Sequence, residues 1–496
     1  MSQIVQMAVL VPVLLLFAAF LIPVLDQKKA RLVPGLVMAI AVYNFLVSLV
    51  VCYWVLFIGD IVYHFGEWSP PWGIEFVISY LEAFMMFLIC GVYLLIIIFS
   101  NPSLGKELKP KVFNWYYTLL FLLKASLLGM IFTNDLFNFF VFVEISAITS
   151  VAIISVKDSR DSIDASVKYL FLSVIGSAFL LFAIGLLFMV TGHLNMTYVH
   201  QVLSESGGHL GQSVKLSLIF VFIALALKAA LFPFHIWLPD AHSSAAVPSS
   251  ALLSGVVVEV YVVGLIKILF QVYGLDYLME TGLLVVILLL SVMGIILGSI
   301  FAIGQSYIKR MLAYSTVAQM GYISLGMAMV TERGMTGGLL HVFNHALIKS
   351  LLFLSAGVII HQTGKKKISD FRGMGRKYPL TMIAFSIAAL SMVGIPPLNG
   401  FISKWILALG TLQANQPYLL AVILLSSLLN GIYYFPIIVG AFFGGESSDY
   451  QWEFKSLSKK VWIPLVVFSV CILFFGLFPN FLFMFIEEAS VMLLGI

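Results

Sequence analysis

The sequence predicts an all-α polytopic membrane protein, and three observations carry that prediction. Charged residues are 10% of the 496-residue chain and apolar ones 61%, far from the near-quarter charged share of a soluble domain. The apolar residues gather in blocks of roughly 20 or more, the length a helix needs to cross the hydrocarbon core. Basic residues fill alternate short loops, as the positive-inside rule requires of a spanning chain. A transmembrane barrel would show alternating strands of about ten residues, and none are visible.

The blocks lie at roughly 5–25, 33–59, 74–100, 112–132, 135–156, 166–191, 214–235, 248–273, 279–304, 310–330, 336–361, 380–411, 417–442 and 461–492, about 14 spans. The last is long enough for a helix and an interfacial segment, and no soluble domain fits between any two. The opening run from Ile4 to Val24, with lysines at its far end, suits a first spanning helix better than a cleaved signal.

With the loops numbered in order, the odd ones carry Lys28, Lys29 and Arg31; Lys106, Lys109 and Lys111; Lys157 and Arg160; Lys309 and Arg310; the run Lys365 to Lys377; and Lys455, Lys459 and Lys460. The even ones carry Lys215 and Arg333 with the acids Asp60, Glu67, Glu205, Asp276 and Glu280. This bias places the odd loops in the cytoplasm and both termini outside. The net charge of +4 comes with no basic tail and no aromatic–basic interleaving, which argues against a nucleic-acid partner. Cys52, Cys90 and Cys471 stand alone in apolar runs. They lack metal-ligand or disulfide spacing, so iron–sulfur chemistry and haem attachment have no anchor.

Two spans are interrupted, the seventh at Leu231-Phe232-Pro233-Phe234-His235 and the twelfth at Gly394-Ile395-Pro396-Pro397-Leu398-Asn399-Gly400. Proline removes a backbone donor and clashes with the preceding turn, so each should break its helix. Broken backbone at membrane depth survives only inside protein or beside water. Two breaks five spans apart predict two inverted five-helix repeats with the transport site at the breaks. The expected divisions are residues 1–110 (three leading helices), 111–274 and 275–443 (the repeats) and 444–496 (a last helix).

Seven of the 27 lysines and arginines fall outside clear loop positions: Lys124, Lys168, Lys228, Lys267, Lys349, Lys404 and the borderline Lys215. An ammonium at bilayer depth costs on the order of 3 kcal/mol or more, so it persists only if paired or facing water. Glu144 on the fifth span and Lys228 just before the first break are expected to meet across helices. A carboxylate and an ammonium in apolar surroundings hold each other charged, and one proton more or less disturbs both. His341, His345 and Lys349 recur every four residues and so share one face of the eleventh span, and histidine is the side chain best matched to proton exchange near neutral pH. Lys404 follows the second break. Glu259 lies on the eighth span with Lys267 two turns on, and Lys124 lies on the fourth. Spread through the bundle, these groups suit lateral proton transfer through trapped water.

These residues also carry a resemblance. Asn134-Asp135-Leu136-Phe137 through Glu144, Leu227-Lys228-Ala229 through Pro233 to His242, Asn344-His345-Ala346-Leu347-Ile348-Lys349 and Gly394 through Lys404 are similar to motifs of one family. It comprises the antiporter-like membrane subunits of respiratory complex I, Mrp-type cation/proton antiporters, and membrane-bound hydrogenase and sulfane reductase complexes. The likeness covers roughly residues 80 to 490. The loop Trp68-Ser69-Pro70-Pro71-Trp72-Gly73-Ile74 and the ending at a fourteenth span resemble the D-type Mrp subunit or its hydrogenase-type counterpart more than complex I proper. The resemblance implies a prokaryotic plasma-membrane protein with Glu144 and Lys228 as a paired switch, His341 and His345 as relay, and Lys404 as end group. It also implies other membrane subunits as partners and protons or sodium ions as cargo. One departure stands out: the family usually has lysine where this chain has Glu259. That glutamate is expected to pair with Lys267 or Lys124, or to mark a modified channel.

Moving a proton against 100 mV takes about 2.3 kcal/mol. The sequence holds no nucleotide loop, metal cluster or flavin motif, so no cofactor is expected and the energy must come from partners, by redox chemistry or a counter-ion gradient. Two other readings stay open: a structural subunit with an inactive channel, which Glu259 favours, and a solute carrier.

Overall fold

The computed structural model describes residues 2–205, 211–444 and 457–496; Lys455, counted above among the basic loop residues, lies outside them. Helices α1 (Ser2–Lys29) and α2 (Val33–Phe57) lead into strands β1 (Ile61–His64) and β2 (Glu75–Ile78). Then follow α3 (Tyr80–Glu107), α4 (Phe113–Phe132), α5 (Leu136–Ser155), α6 (Arg160–Thr191), α7 (Met196–Glu205) and α8 (Gln212–Lys228). The middle holds α9 (Leu238–Ser244), α10 (Val247–Leu252), α11 (Val258–Lys267), α12 (Leu275–Thr281), α13 (Leu283–Ile303), α14 (Ile308–Ala328) and α15 (Glu332–Thr363). The chain ends with α16 (Met374–Lys377), α17 (Pro379–Val393), α18 (Asn399–Gln413), α19 (Tyr418–Phe443), α20 (Lys459–Leu477) and α21 (Asn480–Leu494). The protein is thus a mostly helical, polytopic membrane protein. Among the described residues, ten helical stretches are long and apolar enough to cross a bilayer, one of them, Ile4–Phe57, taking in both α1 and α2.

Burial sorts the helices by role. The α10–α11 stretch and the middle of α15 are enclosed on all sides. By contrast α6 turns Phe171, Phe182 and Met189 outward. Large apolar side chains facing outward are what a lipid or protein neighbour in the membrane calls for, where water would penalise them. The polar and charged residues of the inner helices therefore sit in the middle of the molecule.

The structure departs from an all-α plan in one place. The block expected to be helical from 74 opens instead as β2, which pairs antiparallel with β1 in the register Ile61↔Ile78 and His64↔Glu75. Ile61, Phe76 and Ile78 face inward, a two-residue period that no helix can satisfy. Pro70 and Pro71 sit in the turn, with Trp72 beside them 86% exposed. The block 461–492 is likewise two helices, α20 and α21, parted at Phe478 and Pro479.

Both expected breaks are present. Helix α8 stops at Lys228, and Ala230 takes a positive φ of 53°. Helix α17 stops at Val393, where Gly394 adopts φ 93°, a conformation that side-chain-bearing residues rarely reach. Two cavities open toward opposite ends of the bundle. One, about 800 Å³, is lined by Glu107, Lys157, Lys168, Asp240, Lys309 and Lys366. The other, about 880 Å³, is lined by Asp60, Glu82, Asn134, Lys267, Asp276 and residues near the C-terminus. The first draws on odd connections and the second on even ones, matching the charge alternation.

Candidate functional site: a row of charges across the bundle

The site begins at the first break. Lys228 is fully buried, with Nζ 3.7 Å from Glu144 Oε1. That gap is too long for a hydrogen bond, and helix α6 fills it. Lys228 donates to Ser173 Oγ at 2.9 Å, and the Ser177 hydroxyl donates to Glu144. The expected meeting of Glu144 and Lys228 is thus present, mediated by two serines four residues apart on one face. Glu144 is less enclosed than expected, at 31% exposed, because α5 and α6 form an outer flank of the bundle. The carbonyl of Leu227, where α8 ends, accepts from the Trp237 indole at 2.9 Å and from the Ala230 N–H at 3.2 Å.

Tyr261 is the inward neighbour of Lys228. Its ring lies 5.9 Å from Lys228 Nζ, and it stands two residues beyond Glu259 on α11. Glu259 does not pair with Lys267 or Lys124 as expected; its Oε1 contacts His345 Nδ1 instead. The reason is axial distance: eight residues of helix separate Glu259 from Lys267 by about 12 Å. Lys267 reaches instead to Glu82 on α3, at 3.0 Å, and to the Ile131 carbonyl, at 2.6 Å. Lys124 stands off the row, 5.7 Å from the Tyr93 ring. Lys168 is half-exposed and bonds Asp240 at 2.6 Å, so it belongs to the cavity and not to the membrane interior.

On α15 the rings of His345 and His341 stack 6.3 Å apart. His341 Nδ1 meets Ser403 Oγ at 2.9 Å, and its Nε2 meets Gln319 Oε1 at 3.0 Å. Ser403 adjoins Lys404, whose ammonium donates to the carbonyls of Met392 (2.8 Å) and Val393 (3.2 Å) and to Ser427 Oγ (3.1 Å). These two carbonyls end α17, where no next turn supplies their N–H partners. Lys349 donates to the Leu312 carbonyl and to Ser315 Oγ, both at 2.8 Å. From Ser315 a second line runs through Tyr433 (3.1 Å) and Asn430 (2.5 Å) to the same Met392 carbonyl.

Sequence reasoning passed over several of these groups. His242 is fully buried, close enough to Lys309 and Lys349 to feel both charges, and neither of its nitrogens has a partner among the described residues. Its place in the Pro239-Asp240-Ala241-His242 run was the available signal. Glu259 Oε2 and His345 Nε2 are likewise unpartnered, and buried polar atoms of this kind are usually satisfied by ordered water. Glu82 reads in sequence as a capping-box residue, and it is one: Ser79 N and Oγ both donate to its Oε2, at 3.1 and 2.5 Å. Its other oxygen holds Lys267.

Fold and site together define a helical membrane protein with a transverse row of ionisable side chains joining two broken helices. The family described as NADH:quinone oxidoreductase/Mrp antiporter, transmembrane region, matches residues 133–430. The chain belongs to this family of antiporter-like membrane subunits. It is 41% identical over 383 residues to NADH-quinone oxidoreductase subunit N of Desulforudis audaxviator, covering 77% of this chain and 75% of that one. It is 29% identical to the D-type subunit of the Na(+)/H(+) antiporter of Bacillus subtilis, covering 87% and 85%. A chain of the membrane-bound sulfane sulfur reductase, an archaeal respiratory membrane complex, superimposes with a TM-score of 0.91 at 28% identity over 99% of this chain and 98% of that one. The likenesses to the D-type antiporter subunit and to the sulfane reductase chain agree with the branch that the tryptophan loop resembles, and the 41% identity extends the likeness to a complex I-type subunit.

Proposed function

We propose that the chain translocates protons, as an antiporter-like subunit of a multisubunit membrane complex whose other subunits supply the energy. The observation that carries this reading is a pair of contacting runs, Glu144 and Lys228 beside Tyr261, and Glu259 through His345 and His341 to Ser403 and Lys404, which approach each other on α11 where Tyr261 and Glu259 stand two residues apart. Protons enter from the cavity lined by Asp240 and Lys309, pass His242, and reach His345 and Lys349. Water bridges the unpartnered atoms of Glu259, His345 and His242, since a proton cannot jump a gap wider than one water. When a proton neutralises Glu144, Lys228 is left as a lone buried cation and favours release of its own proton; this couples the flank to the centre. About 14 spans in two inverted repeats, with odd connections in the cytoplasm and both termini outside, complete the reading. The two breaks and the alternate lining of the two cavities support it.

Lys228→Ala tests the proposal. In vesicles bearing the reconstituted complex, proton uptake followed by a pH-sensitive dye should fall about tenfold or more, because the paired charge is gone. The partner chains should still co-purify. Unchanged uptake with intact assembly would make the chain a structural subunit. Replacing external sodium with a membrane-inert cation should leave uptake unchanged if the cargo is the proton.

A further inference from the structure

The most enclosed lysine–carboxylate pair among the described residues lies off the row. Glu82 and Lys267 meet at 3.0 Å with both side chains 2% exposed. They come from α3 and α11, and the α4 carbonyl of Ile131 completes the lysine's shell at 2.6 Å. Both side chains line the cavity of about 880 Å³ at the end opposite the Asp240 cavity. Asp60, outside the spans, lines it too, and its carboxyl is raised above the usual range by burial and by the charge of Glu82. The pair therefore sits at the floor of a vestibule that shares its field.

Inward of the pair are Lys124, which stands off the row, and Glu259, whose second oxygen the row leaves without a partner among the described residues. Lys124 is seven residues before Ile131 on α4, and Glu259 is eight before Lys267 on α11. Both helices run toward the same end, so both groups lie about 10–12 Å below the pair, at one level. Lys124 is fully buried, its ammonium near the Cys90 thiol and unpaired with any carboxylate among the described residues. Glu259 Oε2 is equally buried and has no partner among them. An ammonium without a counter-charge at this depth is too costly to be structural ballast. A pair that only held helices together could be replaced by apolar side chains at little cost.

We propose that Glu82 and Lys267 form a second outlet, through which protons leave from the first half of the chain to the vestibule. Resting on the proton reading above, it adds an end to the row besides Lys404. A proton passes from Glu259 by way of Lys124 and bridging water to the Glu82 carboxylate. Lys267 then loses its counter-charge and repels the proton into vestibule water. Its departure restores the pair, with no bond made or broken other than those to the proton.

The double variant Glu82→Gln/Lys267→Met separates outlet from brace. It removes both charges together, so no lone charge is left buried. As an outlet, the pair's loss should lower uptake by the reconstituted complex about tenfold while the chains still co-purify. As a brace, uptake should return to the native rate, and that result overturns the proposal. Should the double variant fail to assemble, Ser204→Cys, at the vestibule wall, serves instead. It should transport normally until a membrane-impermeant charged thiol reagent is added on the vestibule side, and then slow several-fold; full labelling without slowing equally overturns the proposal. Lys228→Ala is measured in the same vesicles. If it is inactive while the double variant is native, the second outlet fails alone; if it too is native, the proton reading itself fails.

Discussion

The two broken helices each present a lysine at mid-bundle, yet they hold it in opposite ways. At the first break the Leu227 carbonyl is satisfied by the Trp237 indole and by the Ala230 N–H. Lys228 is thereby released from any backbone duty, and its contacts are Ser173 and the Glu144 carboxylate. At the second break Lys404 itself caps the freed carbonyls of Met392 and Val393. Among the described residues no carboxylate is paired with it; its cage is two carbonyls, one serine hydroxyl and the Tyr322 ring at 5.0 Å. The C-terminal end of a helix carries partial negative charge, so α17 itself serves as counter-ion. The first lysine is thus tied to a titratable partner and the second to a fixed dipole. A proton arriving at Glu144 changes what Lys228 feels, whereas the cage around Lys404 is constant. In this comparison the first break is suited to switching and the second to receiving.

The comparison breaks most visibly at Lys404. Lys404→Met should abolish transport and also destabilise the fold. The Met392 carbonyl keeps Asn430 as a donor at 3.3 Å, but Val393 is left without one, at a cost of about 1–3 kcal/mol. Lys404→Gln should recover most of that stability, since an amide can donate to a carbonyl, without recovering transport. Lys228→Met should lower stability less than Lys404→Met, because Trp237 still caps Leu227. Thermal unfolding of the detergent-solubilised complex, measured alongside vesicle uptake, checks all three variants. Equal destabilisation of the two methionine variants would erase the distinction drawn here.

Trp237→Phe comes next in size. It should leave the Leu227 carbonyl with the Ala230 N–H, at 3.2 Å, as its remaining donor and cost about 1 kcal/mol or less while keeping the apolar packing. With Trp237 gone, that carbonyl has an acceptor position open to Lys228, which would draw the first break toward the arrangement of the second. Transport should then drop several-fold with assembly unchanged. Native transport in Trp237→Phe would show that separating the capping and charge-bearing roles is not what suits Lys228 to switching.

How much of this is legible in the sequence follows from the reach of each interaction. The breaks are written locally, as Pro233 and as the Gly394 to Gly400 run, and they fall within a few residues of where the helices end. His341, His345 and Lys349 were legible because four-residue spacing puts them on one face whatever surrounds the helix. Glu144 and Lys228 were legible as a pair because each is a lone charge in an apolar run that needs an opposite. Glu259 was misassigned for the same reason read too locally: Lys267 was the nearest lysine in sequence, while the partner His345 lies 86 residues away on another helix. Lys267's own partner, Glu82, was hidden by its second role as a helix cap. The exposure of Glu144 depends on what packs outside α5, which one chain cannot state.

The smallest effect expected concerns a tie between α6, the segment after the first break and α14. Asp240, just past the first break, bonds Lys168 of α6 at 2.6 Å and Arg310 of α14 at 3.2 Å. It is one of the ties at this cavity, beside Lys309 on the Ala245 carbonyl and His361 on Glu107. All three side chains are partly solvated, so the tie is worth about 1 kcal/mol or less and weakens with salt. Asp240→Asn should therefore shift thermal unfolding slightly, and the shift should shrink as ionic strength rises. Uptake should change less than threefold, because Lys168 and Arg310 keep the cavity polar. A large loss of transport in Asp240→Asn that salt cannot reproduce would move Asp240 from tie to relay. The inlet would then start at Asp240, two residues before His242, and the switch at the first break would have its own proton source instead of depending on the centre.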